Sequence, residues 1–256
     1  MKKNATGTEK KLSRSTVDAA EVQQFDSLAT QWWDESGALK PLHRLNPVRM
    51  GYLKEQICGR FRLDETGFTP FKGLHIADVG CGGGLVTEPL CRLGAEVTGM
   101  DAGAENIKIA KDHARQQGLH INYEATSVED LAATGKTFDV VTALEIVEHV
   151  ADPQLFIASC CKLVKKNGLL IFSTLNRTPK SFALGIVAAE YILCWVPAGT
   201  HDWKKFVRPA ELSRPLTQQG FDVLDLSGLV YNPLKRQFSI SKTDIDVNYF
   251  LTAARR

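Results

Sequence analysis

The sequence predicts an α/β chain built on a doubly wound, mostly parallel sheet, and three observations carry that prediction. From residue 74 to residue 174, apolar runs of strand length alternate with segments of helical apolar spacing. The first strand-to-helix junction is rich in glycine, reading Leu74-His75-Ile76-Ala77-Asp78-Val79-Gly80-Cys81-Gly82-Gly83-Gly84. Near its end the chain changes rhythm: two apolar runs, 221–229 and 247–253, are joined without a helix, which makes them antiparallel neighbours.

Taken in order, residues 1–17 read as a disordered tail. The stretch from Met1 to Ser15 is polar and basic, without the apolar core of a secretion signal or the Arg-rich amphipathic look of a transit peptide. Helices are expected at 18–33 and 45–60, with a turn at 67–70 leading into the first strand. Strands follow at 74–79, 96–101, 121–125, 138–144 and 169–174, with helices at 85–93, 104–117, 153–163 and 209–219. The terminal pair brings the sheet to seven strands, with a C-terminal antiparallel strand. Residues 18–256 thus read as a single domain. Helices occupy 18–70, and an insertion at 176–207 separates the fifth strand from the next helix.

Composition narrows the function classes. A chain of 256 residues, 44% hydrophobic, can bury one sizeable core. A net charge of +2 and a pI near 8.2 argue against a nucleic-acid partner. The six cysteines (Cys58, Cys81, Cys91, Cys160, Cys161, Cys194) show neither C-x-x-C pairs nor zinc spacing, which reads as reduced thiols in a cytoplasmic protein.

The strand, glycine turn and following helix form a site of nucleotide size. Glycines admit a ligand close to the backbone, and the helix N-terminus offers unpaired N–H groups. Pro89 falls within about the first helical turn, where its missing N–H costs least. The G-x-G-x-x-G fingerprint of dinucleotide folds fails here, because Gly80 and Gly82 are followed by Leu85 in place of a third glycine. Asp78 instead precedes the glycines as Asp-x-Gly-x-Gly. The next strand ends in Asp101, about 20 residues on, where a carboxylate accepts the ribose hydroxyls of an adenosine from S-adenosylmethionine or NAD.

The fourth strand runs into Glu145-Ile146-Val147-Glu148-His149. If Glu145 starts a helical turn, Glu148 and His149 at i+3 and i+4 share its face and suit a hard divalent ion. Alternatively, His149 takes a proton from an acceptor hydroxyl while a carboxylate orients it. His201, after a Gly199-Thr200 turn, is a secondary candidate; His43, His75, His113 and His120 have no clustered partners. Arg49 offers a planar, bidentate partner for a ligand carboxylate. The segment 181–195 is apolar except for Glu190, yet too short to span a bilayer, which takes about 20 residues. It suits an interfacial helix anchored by Trp195, with Lys204 and Lys205 near anionic headgroups, or else a lid over the site.

Asp78-Val79-Gly80-Cys81-Gly82 resembles the first motif of the class I S-adenosylmethionine-dependent methyltransferases, whose sheet is Rossmann-like. More specific runs resemble the O-methyltransferases of ubiquinone biosynthesis: Leu42-His43-Arg44-Leu45-Asn46-Pro47, Ser173-Thr174-Leu175-Asn176-Arg177 and Gly199-Thr200-His201-Asp202. That resemblance covers the chain from about Phe25 onward. It implies contacts with S-adenosylmethionine from Arg49, Gly80, Asp101 and Leu144, to which the residue pattern adds Asp78 and Gly82. It also implies catalysis and binding of Mg2+ or a similar divalent cation at Glu145, Glu148 and His149. The acceptor would be a prenylated phenol or quinol. Residues 181–205 would meet the inner face of the cell membrane, with other proteins of the pathway as candidate partners.

Overall fold

The structure, a computed structural model, describes residues 15–184 and 202–256. Five strands run parallel: β1 (His75–Val79), β2 (Glu96–Asp101), β3 (Asn122–Ala125), β4 (Phe138–Leu144) and β5 (Val164–Leu175). Beyond β5 come β6 (Phe221–Asn232), β7 (Gln237–Ser241) and β8 (Asn248–Arg255). The order is β3-β2-β1-β4-β5-β8-β6-β7, with β8 slotted antiparallel between β5 and β6.

Side chains alternate across the sheet with period two, so each central strand feeds two cores. Val140, Leu144, Leu169, Ile171 and Phe250 pack with α2 (Lys40–Phe61) and α3 (Thr87–Arg92). Val141, Ala143, Leu170, Phe172 and Leu251 pack on the other face with α5 (Val128–Ala133), α6 (Pro153–Leu163) and α8 (Pro209–Gln218). Among the described residues the remaining α-helices are α1 (Ala19–Ser27), α4 (Ala104–Gln116) and a single turn, α7 (Pro179–Ser181). The free cysteines among the described residues are Cys58, Cys81, Cys91, Cys160 and Cys161.

The sheet has eight strands, one more than the sequence predicts. β7 is a five-residue edge strand paired with β6; Phe238 and Ile240 do alternate with polar residues, but so short a run is easily passed over as part of a loop. Helix α5 was also unanticipated. Its six residues are too few for a period, although Ser127 caps it by accepting the Asp130 N–H. Pro47 suits a helix start near residue 45, yet α2 begins at Lys40 and runs through it. The expected helix at 18–33 is two pieces, α1 and a 3-10 turn at Ala29–Gln31.

Of the expected tail, residues 1–14 lie outside the described residues, and Ser15 to Val17 are fastened down. The Thr16 side chain and N–H both donate to Glu129, at 2.6 and 2.8 Å, and its carbonyl accepts from Ala151. Most of the apolar insertion, with Trp195 and His201, also lies outside the described residues. Among those described, no helix is long and apolar enough to cross a membrane.

Candidate active site

The chain winds from β1 out to β2 and β3, then returns to β4 on the other side of β1. Ligands of open α/β sheets bind at such a reversal, beyond the carboxyl ends of the strands. Here lies a cavity of about 260 Å³. Arg49, Asp78, Gly80, Gly82, Asp101, Leu144, Glu145, Glu148 and His149 all line it.

The glycine loop is shaped by its neighbours. Gly80 has φ +73°, and a Cβ there would meet Ile146 Cδ1 at 2.7 Å. At Gly82, φ is +51° and a Cβ would press on the Trp32 ring at 2.3 Å. The Gly80 and Cys81 N–H groups donate to the Met100 carbonyl, pinning the loop to β2. Asp101 completes the loop by accepting the Gly82 N–H at 3.0 Å and the Gly103 N–H at 2.7 Å. A carboxylate has about four acceptor sites, so capacity remains for ribose hydroxyls. Asp78 accepts from Thr87 at 2.6 Å and Thr142 at 2.8 Å, tying the start of α3 to β4. Burial pushes both acids above the usual carboxylate range.

Arg49 comes from the middle of α2 and is 4% exposed. Its Nε and Nη2 have no hydrogen-bond partner, and Glu145 Oε1 is 3.7 Å from Nη2. A buried guanidinium with unspent N–H groups is costly unless a ligand satisfies it. Burial lowers its pKa, opposed by the charges of Glu145, Asp78 and Glu148.

The segment after β4 departs from expectation. Glu145 takes φ +53°, so the helical turn starts only at Val147 and spans Val147–His149. The three side chains therefore do not share one helix face. The Glu145 carboxylate accepts from Ser173 at 2.7 Å and from Asn248 at 3.0 Å. Glu148 accepts from Thr174 at 2.8 Å, and His149 Nδ1 is 3.0 Å from Glu21 Oε2. Among the described residues no three His, Cys, Asp or Glu side chains are grouped to hold a metal ion. As placed here, Glu145, Glu148 and His149 are not drawn together as a set of ion ligands.

Burial and the neighbouring Glu145 raise Glu148 to about 7. Burial alone would depress His149, but the Glu21 hydrogen bond and the charges of Glu148, Glu21 and Glu145 outweigh it and hold the pKa above its ordinary value.

The segment before α2 contributes residues for which no role is expected from sequence. Trp32 lies over the glycine loop, and its Nε1 donates to Asn106 at 2.8 Å. Trp33 Nε1 donates to the Gly83 carbonyl and its ring stacks on His113 at 3.5 Å. The adjacent tryptophans were the visible signal. Glu21 had none, because its partner lies 128 residues away.

A glycine loop closed by an acid after β2, an unspent buried arginine and a strand reversed between β5 and β6 define a class I S-adenosylmethionine-dependent methyltransferase. The family model for a methyltransferase domain matches residues 77–172. The chain belongs to the ubiquinone biosynthesis O-methyltransferase family. It is 50% identical over 244 residues to the Cereibacter sphaeroides member, covering 95% of this chain and 99% of that one. The Bartonella bacilliformis member is 51% identical over 243 residues, covering 95% of this chain and 98% of the relative. The fold is also that of magnesium protoporphyrin IX methyltransferase from Synechocystis PCC 6803, solved with bound S-adenosylmethionine. There the TM-score is 0.58 at 16% identity, covering 95% of this chain and 100% of that one.

Proposed function

We propose that this chain methylates a hydroxyl of a prenylated catechol or demethylubiquinol, with His149 taking the hydroxyl proton. One observation carries the reading: the unspent Arg49 donors and the His149 imidazole, held by a carboxylate, line the same cavity. The names of the relatives supply the substrate class.

Bound in this cleft, S-adenosylmethionine supplies a methyl group on a sulfonium. Arg49 takes its carboxylate and Asp101 its ribose hydroxyls; Gly80 and Gly82 let the backbone approach, with Asp78 bracing the loop and Leu144 lining the pocket. A phenol with a pKa of about 10 is scarcely ionised at neutral pH, so transfer needs a base within reach. His149 fills that role. Mg2+ carries no step here, because Glu145, Glu148 and His149 are not grouped around a common point among the described residues.

We assign the segment 181–205 to the cytoplasmic face of the membrane, where a prenylated acceptor dissolves. Support comes from its described ends: Phe182 and Leu184 are 48% and 49% exposed, and Lys204 is exposed. Lys205, expected at the headgroups, is instead bonded to Glu21 at 2.7 Å.

The test is methyl transfer to a prenylated catechol, by the intact chain and by His149→Gln, with and without chelator. Turnover that survives chelator and disappears in the variant supports the reading. Turnover lost to chelator and restored by Mg2+ would return deprotonation to a metal ion.

A further inference from the structure

A buried amide from α4 faces the Asp101 carboxylate. Asn106, in the first turn of that helix, is 2% exposed and lines the cavity together with Asp101 and Trp32. Two partners demand the same orientation of its amide. Trp32 Nε1–H can only donate, and it donates to Asn106 Oδ1 at 2.8 Å. Nδ2 is thereby turned toward Asp101, 3.5 Å from Oδ1. The reverse orientation would set an acceptor against a carboxylate and a donor against the indole N–H. Gly103 keeps the space between them open, since a Cβ there would lie 2.7 Å from Asn106 Nδ2 and 3.0 Å from Asp101 Oδ1. Helix α1 reaches the same residue, because the Asn106 backbone N–H donates to Asp26 Oδ1 at 3.4 Å. Burial raises Asp101, and the hydrogen bonds from Gly103, Gly82 and Asn106 oppose that rise.

We propose that Asn106 is a positioning residue for Asp101 and that Trp32 sets its orientation. The indole N–H fixes the amide, and the amide steadies Oδ1. The carboxylate then keeps its remaining acceptor capacity turned to the ribose hydroxyls of the donor. The inference rests on Asp101 being the ribose acceptor. Without the indole N–H, nothing on that side of Asn106 distinguishes its oxygen from its nitrogen, and Nδ2 is free to leave the carboxylate. The chain ahead of the sheet is thus part of the donor site in two ways: the Trp32 ring covers the glycine loop, and its N–H acts on the ribose acceptor. The consequence is specificity, for a donor with both ribose hydroxyls over one that lacks them.

Calorimetry on the intact chain, Trp32→Phe, Asn106→Ala and Asp101→Ala compares methylthioadenosine with its 2′,3′-dideoxy counterpart. The readout is the ratio of the two affinities, which a general loss of packing leaves alone. Trp32→Phe keeps a ring over the glycine loop and removes only the N–H donor. A hydrogen bond is worth about threefold to tenfold, so the ratio should fall by about that factor in Trp32→Phe and at least as far in Asn106→Ala. In Asp101→Ala it should fall about tenfold or more, and adding Trp32→Phe to that variant should change it no further. A ratio held in Trp32→Phe and Asn106→Ala while Asp101→Ala collapses it would make both residues supports of the fold and overturn the proposal alone. A ratio that falls in Asn106→Ala but not in Trp32→Phe overturns the part given to Trp32. A ratio that survives Asp101→Ala would instead overturn the ribose assignment on which the inference rests.

Discussion

Replacing Arg49 with Met should have opposite effects on the empty and the loaded protein. The guanidinium is 4% exposed, with Nε and Nη2 unpartnered and its nearest carboxylate 3.7 Å away, beyond hydrogen-bond reach. Methionine has similar length and carries no charge. Exchanging a poorly compensated buried charge for an apolar side chain is worth from zero to about 2 kcal/mol in favour of the fold. At about 2–4 °C per kcal/mol for a chain of this size, the empty protein should melt up to roughly 8 °C higher. Binding should move the other way. Hydrogen bonds to charged groups contribute about 1.5–3 kcal/mol, so loss of a bidentate carboxylate contact of about 3 kcal/mol weakens S-adenosylmethionine by about a hundredfold. Calorimetry reads both ligands that matter: S-adenosylmethionine, and methylthioadenosine, which lacks the carboxylate and should bind the variant as it binds the parent. A variant that holds S-adenosylmethionine as tightly as the parent, or loses both ligands in proportion, refutes this assignment. A fall in melting temperature of the empty variant would mean that Arg49 serves Glu145 first.

Asp101→Ala should weaken both S-adenosylmethionine and methylthioadenosine at least tenfold by calorimetry, since about 1.5–3 kcal/mol of ribose contact is common to both; unchanged affinity in a folded variant removes Asp101 from the site. Because His149 is held above its ordinary 6.5, kcat should climb as pH rises through that raised value, and a limb at or below 6.5 contradicts the environment described here. The same shifts set a window for docking of α1. Glu21, lowered to about 2 chiefly by the His149 hydrogen bond, contributes above 4.5 and is lost as pH falls toward 2. His149 contributes fully below 6.5 and is lost as pH rises through its raised pKa. Protection of α1 from hydrogen exchange should therefore be greatest between 4.5 and 6.5. Replacing Ile192, Leu193 and Trp195 with Ser should reduce sedimentation with anionic liposomes; parent protein that ignores such liposomes at low salt ends the membrane assignment.

What could be read from the sequence follows from the range of each interaction. β2 and β4 have the expected bounds because each is a short apolar run ended by a change of chemistry, at Asp101 and at Glu145. The antiparallel placement of β8 followed from the lack of a helix between two late runs, although β7 in the intervening segment was missed. The residues lining the cavity were legible because the reversal at β1 gathers strand ends, and strand ends can be counted. The shared helix face expected from Glu145 does not form, because one left-handed φ is invisible in sequence. Glu21 was missed for a different reason: a polar helix reveals nothing of a partner 128 residues away.

That left-handed residue separates two acids that lie three positions apart. A non-glycine residue at positive φ costs about 1–3 kcal/mol and persists only where its surroundings compensate. Here the compensation is visible. Ser173 and Asn248 hold the Glu145 carboxylate, its N–H donates to the Ser173 carbonyl at 2.9 Å, and Arg49 stands at 3.7 Å. With Glu145 drawn toward α2 and β8, the chain re-enters a helical turn that leaves Glu148 on β5 at Thr174 and His149 facing α1. An ordinary helix from Glu145 would have placed all three groups on one face and two like charges side by side. The turn instead sets Glu145 beside the arginine assigned to the donor's carboxylate. Glu148, raised to about 7 by burial, remains with the imidazole assigned to the acceptor's proton. A substitution that relaxes residue 145 into helical φ would act on both ends of the cavity together.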